Sequence, residues 1–382
     1  MAATNRPGGT PILQFGTSRF LQAHVDLFVS EALREGCALG RVTVVQTTSN
    51  PESRARVDAL CAQGSYPVRV RGMRRNATVD ETVTCDAIAD ALDANADWAG
   101  LRARFAGETK VVISNTGDSG YEIFEEDGPD LLASGKVPRG FVAKLLVLLK
   151  ARYDAGGEAL TLFPCELITR NGETLRRLVV RLAREWGLED GFVDYLERRC
   201  IWVNSLVDRI VSEPIRPVGA VAEPYALWAI ERQAGMVLPC EHEAIIVTDD
   251  LDHYERLKLL ILNLGHTWLA ERWLAEGRAA DENVLQAMRD PALRETLETL
   301  WREEVLPVFD ALGKGADARA YVEDVRERLL NPFLDHRLSD IARNHAQKKE
   351  RRFRTIVDLA RERGLDLAQP RLREALASGL GG

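Results

Sequence analysis

Hydrophobic positions follow two rhythms along the chain. In the first part, short apolar runs of strand length alternate with stretches whose apolar residues recur at helical spacing. Residues 11–16, 41–46, 66–72, 110–114, 160–164 and 201–211 read as strands. Residues 17–33, 86–105 (Trp98 and Leu101 towards the core), 141–153 and 174–186 read as helices. Strands alternating with helices predict a largely parallel sheet. From Thr248 onwards helical runs follow one another, over 248–270, 283–301, 318–330, 336–354 and 371–377, with no strand between them. The expected architecture is an α/β domain over residues 1–245, followed by a mostly α-helical domain over residues 246–382.

The stretch 248–270 departs from the ordinary helical pattern. Thr248, Asp249 and Asp250 are N-cap candidates, and acids suit the positive end of a helix. The apolar run that follows is interrupted by Lys258, Asn263 and His266. At about 100° per residue, with Lys258 at zero, His266 falls at about 80° and Asn263 at about 140°. The three project from one side of the helix. A buried ammonium and a buried amide are costly unless paired. The stripe reads either as polar groups satisfied in the core or facing solvent, or as a catalytic face whose lysine is driven by burial towards its neutral form.

Composition narrows the class. A chain of 382 residues, 46% hydrophobic and 28% charged, has room for two domains with sizeable cores. A net charge of -8 argues against a general nucleic-acid surface. Charges interrupt every apolar run before it reaches bilayer length, and the first ten residues read as a tail without a signal peptide's apolar core. A cytoplasmic protein with no membrane partner is expected. The six cysteines show neither Cys-x-x-Cys nor zinc-ligand spacing, so no metal is expected and the thiols read as reduced. Cys165 has no base nearby in sequence and reads as a core thiol.

Candidate binding residues lie where strands give way to loops. Gly16 sits between a strand and a helix whose free amides suit a pyrophosphate, although a dinucleotide fingerprint has three glycines there. Thr47 and Ser49 follow the second strand, and no acid stands there to choose between NAD and NADP. Arg54 reads as an exposed helix arginine or as a partner for a 2′-phosphate. Asn115, Thr116 and Asp118 form a polar loop at the carboxyl end of the strand over 110–114, where open α/β sheets bind ligands. Asp208 and Arg209 read as a neighbouring ion pair. The basic cluster 347–354 reads as a solvated face or as charge for an anionic ligand.

These segments, in this order, resemble one family, the polyol-specific long-chain dehydrogenases, which include mannitol dehydrogenase and the tagaturonate and fructuronate reductases. Phe15-Gly-Thr-Ser-Arg-Phe-Leu-Gln-Ala-His-Val-Asp26 is similar to the family's nucleotide loop, Phe-Gly-x-Gly-Asn-Phe-x-Arg-Ala. Residues 114–121, 164–172 and 206–210, the Lys-x4-Asn-x2-His spacing of Lys258, Asn263 and His266, and the stretches 331–336 and 341–344 with Lys348 match further segments. The resemblance runs from about residue 11 to about residue 355. This chain departs from the family at Ser18, Arg19 and Gln22, where glycine, asparagine and arginine are usual, and at Asp118, where mannitol dehydrogenases have glutamate.

The resemblance implies a Rossmann-like first domain and a metal-free hydride transfer between a secondary alcohol and NAD, with NADP left open. It implies Lys258 as the base, Asn263 and Asn171 as amide donors to the developing oxyanion, and His266 as the group orienting the lysine or binding a hydroxyl. Cofactor contacts fall on Gly16, Thr17, Ser18, Arg19, Phe20, Thr47, Asn115 and Thr116. Substrate contacts fall on Asp118, Asp208, His336, Asn344, Lys348 and Arg352, the last two providing charge for a carboxylate. The implied ligand is a sugar acid, a keto-hexuronate/hexonate pair such as tagaturonate/altronate or fructuronate/mannonate. A hexitol and its ketose are the alternative. A non-catalytic dinucleotide sensor, suggested by the altered glycine loop, is the rival from another class. A monomer or small homo-oligomer is expected.

Overall fold

The four inner strands of the central sheet are buried at every residue, which is why their sequences read as short, largely apolar runs rather than alternating ones. In chain order the strands are β1 (Ile12–Phe15), β2 (Val42–Gln46), β3 (Tyr66–Arg74), β4 (Ala77–Cys85), β5 (Ile88–Asp93), β6 (Val111–Ser114), β7 (Thr161–Pro164), β8 (Ile201–Trp202), β9 (Ser205–Asp208), β10 (Val211–Pro214), β11 (Ala220–Ala222), β12 (Leu227–Glu231) and β13 (Ile245–Thr248). The computed structural model describes residues 10–117 and 120–379. The six-stranded sheet has the order β5-β2-β1-β6-β7-β8, and its pairings are all parallel. Successive strands extend from β1 to one side and from β6 to the other, so the topological switch point lies between β1 and β6. Two smaller sheets, β10-β11-β3-β4 and β13-β12-β9, complete the strands.

Two compact units result. The first comprises Met1–Val70, Glu81–Ala222 and Ala226–Leu251, and the second Arg71–Asp80, Glu223–Tyr225 and Asp252–Gly382. The main division thus lies a few residues beyond the expected one, and two short segments from the first part belong to the second unit. In the first unit the helix Phe141–Asp154 is buried along its whole apolar run from Phe141 to Leu149, within a core shared with Leu13, Phe15 and Val112. The second unit gathers its helices around Leu260, Ile261, Trp301, Phe309 and Phe353. Among the described residues no strand follows β13, and no helix is long and apolar enough to cross a membrane.

Several expected elements differ. The helix expected over 86–105 begins as β5 and turns helical only at Trp98. A register shift in the β2–β5 pairing at Val42/Thr43 puts Ile88 and Ala91, three apart, inside, and that spacing mimics a helix. The helix expected over 17–33 breaks at Ala23 and His24 into Arg19–Gln22 and Val25–Glu35. Arg209 holds the break by donating to the Ala23 carbonyl at 2.6 Å, and His24 Nε2 meets the Leu227 carbonyl at 3.1 Å. The single strand expected over 201–211 is three strands, β8, β9 and β10, each in a different sheet. The helix expected over 336–354 is interrupted, with Asn344 at φ 54 ahead of His345–Lys349.

Candidate active site

The stripe of Lys258, Asn263 and His266 does not lie on a plain α-helix. Leu251–Leu257 is α-helical, Lys258–Asn263 forms a π-turn, and Leu264–Glu276 resumes the α-helix. The Leu264 amide reaches the Leu259 carbonyl, five residues back. An i→i+5 turn inserts one residue, so Asn263 takes the angular place of i+4 and His266 that of i+7. They stand at about 40° and about −20° from Lys258, instead of about 140° and 80°. The π-turn converts a spread set into a narrow row. Lys258 and Asn263 are half-buried and His266 is buried, so the row lies neither wholly in the core nor open to solvent.

Other elements of the second unit bring further expected residues to this row. The rings of His266 and His336 meet edge to face, with centroids 4.9 Å apart. His336 is pinned through its backbone, its carbonyl accepting from the Val284 amide at 2.9 Å. Burial holds its imidazole below the usual basicity, and the Lys348 charge adds to that against the pull of Asp340. Lys348 donates to the Ile341 carbonyl at 2.7 Å, and burial, Arg352 and Arg343 all lower its pKa. Asn344 is exposed and serves as the left-handed residue ahead of the helix that carries Lys348.

Arg352 differs from its expected role as a waiting carboxylate partner. Its Nη1 donates to the Asn263 carbonyl at 3.0 Å and to the Thr267 hydroxyl at 2.5 Å. Burial, and then Arg351, push its pKa down to about 10. A network that the sequence did not reveal anchors the same helix from behind. Glu271 takes His345 Nε2 at 2.7 Å, Lys349 Nζ at 3.3 Å and the Ser378 hydroxyl at 2.6 Å. Only the return of the C-terminus, far away in sequence, completes it.

In the first unit the nucleotide candidates gather at the switch point. Gly16 has φ +118, and a Cβ there would lie 2.5 Å from the Asn115 carbonyl oxygen, so the loops after β1 and β6 can meet only at a glycine. Ser18 caps the short helix Arg19–Gln22 through the Leu21 amide and donates to Asn115 Oδ1 at 3.0 Å. Asn115 in turn donates to the Cys165 carbonyl at 2.9 Å, tying the ends of β1, β6 and β7 together. Thr17 is buried and accepts from Arg56 at 3.3 Å, Arg19 is exposed, and Phe20 stacks on His24. Thr47 is half-buried just past β2. Arg54 pairs with Asp93 at 2.6 Å and Asp58 at 3.3 Å. Asp208 is buried at the end of β9. Asp118 lies outside the described residues.

Asn171 lies deep in the first unit. Its side chain is 1% exposed, and Nδ2 donates towards the carbonyls of Pro164, Glu166 and Ser205 while Oδ1 accepts from the Gly172 and Ser205 amides. Every hydrogen-bonding position of the amide is spent on backbone, so Asn171 serves in this structure as a bracket between the strand ends. Glu166, which the sequence reading passed over, is the organising acid of the first unit. It accepts from the Thr116 amide and hydroxyl at 3.0 Å each, from Ser114 at 3.0 Å and from Tyr121 at 3.2 Å. Burial raises its pKa, opposed by the Thr116 and Ser114 bonds. Cys165, also buried, has its thiol pushed well up by the same desolvation, as befits a core thiol.

The chain is similar to known proteins over nearly its whole length. A family model for the mannitol dehydrogenase Rossmann domain matches residues 10–238, and one for the mannitol dehydrogenase C-terminal domain matches residues 250–379. An altronate oxidoreductase of Halalkalibacterium halodurans is 32% identical over 367 residues, spanning 90% of this chain and 69% of that protein. Among solved structures, a substrate-free D-sorbitol dehydrogenase matches with a TM-score of 0.84 at 23% identity, covering 97% of this chain and 79% of that one. A Pseudomonas fluorescens mannitol 2-dehydrogenase, solved as a ternary complex with NAD and D-mannitol, matches with a TM-score of 0.72 at 20% identity, covering 98% of this chain and 80% of that one. At such identities the two structures establish the fold. The sheet topology, the row of polar residues on the π-turn and the two matched models lead to one conclusion: this chain belongs to the mannitol dehydrogenase family.

Proposed function

We propose that this protein is an NAD-dependent oxidoreductase that interconverts a secondary alcohol and a ketone on a sugar acid, a hexonate and its keto-hexuronate of the altronate/tagaturonate kind. One observation carries the reading: the π-turn aligns Lys258, Asn263 and His266, and the same unit sets His336 and the cations Lys348 and Arg352 around that row. The altronate oxidoreductase relatives support the choice of a carboxylated substrate.

The first unit fits a dinucleotide. The Gly16 backbone makes an approach that a Cβ would block, and the loops after β1 and β6 flank the switch point where open sheets take such ligands. Residues 16–20, Thr47, Asn115 and Thr116 would hold it. When bound, the nicotinamide supplies the acceptor or donor of hydride. In the oxidative direction Lys258, as the neutral amine, takes the hydroxyl proton. The Asn263 amide steadies negative charge gathering on the same oxygen. His266 and His336 bind neighbouring hydroxyls, and Lys348 faces the carboxylate.

A panel of hexonates and hexitols, assayed with NAD and with NADP by the absorbance of reduced nicotinamide, tests this. The expected result is turnover of a hexonate with NAD. Preference for a hexitol would transfer the reading to a polyol dehydrogenase, and bound cofactor without turnover across the panel would favour the sensor. Lys348→Gln should raise KM for carboxylated substrates roughly tenfold or more, since one charge-assisted contact is lost, and leave a hexitol little affected.

A further inference from the structure

The second unit sets two π-turns against each other, Lys258–Asn263 and Glu350–Arg354. An isolated π-turn within a longer helix is uncommon, because its neighbours prefer i→i+4 bonding, and it persists where other contacts hold it. Here the contacts converge on its last residue. The Asn263 carbonyl accepts from Arg352 Nη1 at 3.0 Å and from the Thr267 hydroxyl at 2.9 Å, and that hydroxyl itself accepts from Arg352 at 2.5 Å. Guanidinium, hydroxyl and carbonyl form a closed triangle. Arg352 belongs to the second π-turn and Thr267 is fully buried one turn beyond the first.

We propose that Arg352 and Thr267 are positioning residues, a clamp that fixes the π register of the catalytic helix and so keeps Asn263 in line with Lys258. The inference rests on the reading of that row as the catalytic face. Without the clamp the helix can relax to continuous i→i+4 bonding, and Asn263 then turns away from Lys258 by about 100°. The donor to the substrate oxygen is lost while the lysine stays. Arg352 therefore serves the reaction through Asn263, whatever the substrate's charge. A lysine at 352 keeps the charge, but its flexible, strongly hydrated ammonium does not reproduce the fixed planar geometry in which Nη1 reaches the carbonyl and the hydroxyl together.

The test compares Arg352→Ala, Arg352→Lys and Thr267→Val with the parent protein, in steady-state kinetics and in amide hydrogen exchange. NADH binding, followed by fluorescence, serves as the check on folding. Positioning predicts a kcat loss of roughly 10- to 100-fold in both Arg352 variants, with KM for the sugar acid changed less than about threefold. Thr267→Val, which alters no charge, should lower kcat in the same sense by roughly 3- to 10-fold. In all three variants exchange should quicken at the amides of residues 264–268. A KM rise confined to carboxylated substrates with kcat preserved in Arg352→Ala would overturn the proposal, as would a Thr267→Val protein matching its parent in kcat and exchange. If the parent itself turns over neither hexonates nor hexitols, the functional reading fails on its own, and the exchange measurement alone decides whether the clamp exists.

Discussion

Replacing Asp26 by Asn should make the protein more stable at pH 8 and remove part of its sensitivity to pH. Asp26 follows the nucleotide loop, on the helix Val25–Glu35, and is 1% exposed. Oδ2 accepts from the Tyr66 hydroxyl at 2.9 Å and from Gln14 Nε2 at 3.4 Å, while Oδ1 is buried without a hydrogen-bond partner. Burial outweighs the two donors and raises the pKa from 3.8 to about 7. The folded state keeps a proton that the unfolded chain releases above pH 3.8, so stability falls as pH rises from about 4 to about 7 and levels off above that. A shift of about 3 units, at 1.36 kcal/mol each, amounts to about 4 kcal/mol at pH 8. Asparagine has the same shape, can still accept from Tyr66 and never ionises. Thermal unfolding of parent and variant at pH 5 and pH 8 reads the difference. The parent should lose clearly more stability than Asp26→Asn between those values. Equal losses in the two proteins would show that Asp26 is not held protonated by the fold, and the argument from burial would be wrong.

Further expectations follow from the same geometry. Gly16→Ala forces a Cβ to within 2.5 Å of the Asn115 carbonyl at φ +118, and should cost about 2–4 kcal/mol and weaken NADH binding at least about tenfold in a fluorescence titration. Asn171→Ala strips partners from the buried Gly172 and Ser205 amides and from the carbonyls beside them. It should destabilise the protein by about 3 kcal/mol or more in calorimetry, whereas a catalytic role would show as lost kcat in a stable protein.

Much of this molecule could be read from the order of its residues. The parallel sheet was legible because β1, β2, β6 and β7 are buried on both faces and so leave short, largely apolar runs. β5 was hidden by the register shift beside Val42, which gave it a helical spacing. The division of 201–211 among three sheets was invisible because an apolar run does not record where the chain changes partners. In the site, the types and spacing of Lys258, Asn263 and His266 were plain, but their alignment was not, since hydrogen-bond register depends on contacts such as that of Arg352 from 89 residues away. The burial of Asn171 was hidden because an Asn-Gly pair in a loop looks exposed, whereas tertiary structure spends the whole amide on backbone. Glu166 was overlooked because its donors, Ser114, Thr116 and Tyr121, come from another strand and loop.

The central claim is that Lys258 carries the proton in an alcohol–ketone interconversion. Lys258→Met, compared with the parent on the best hexonate at saturating NAD, measures this directly, with NADH fluorescence and thermal unfolding confirming an intact protein. The account predicts that kcat falls by roughly 10²- to 10⁴-fold while NADH binding is unchanged. A variant that retains turnover within a few-fold of its parent would contradict it.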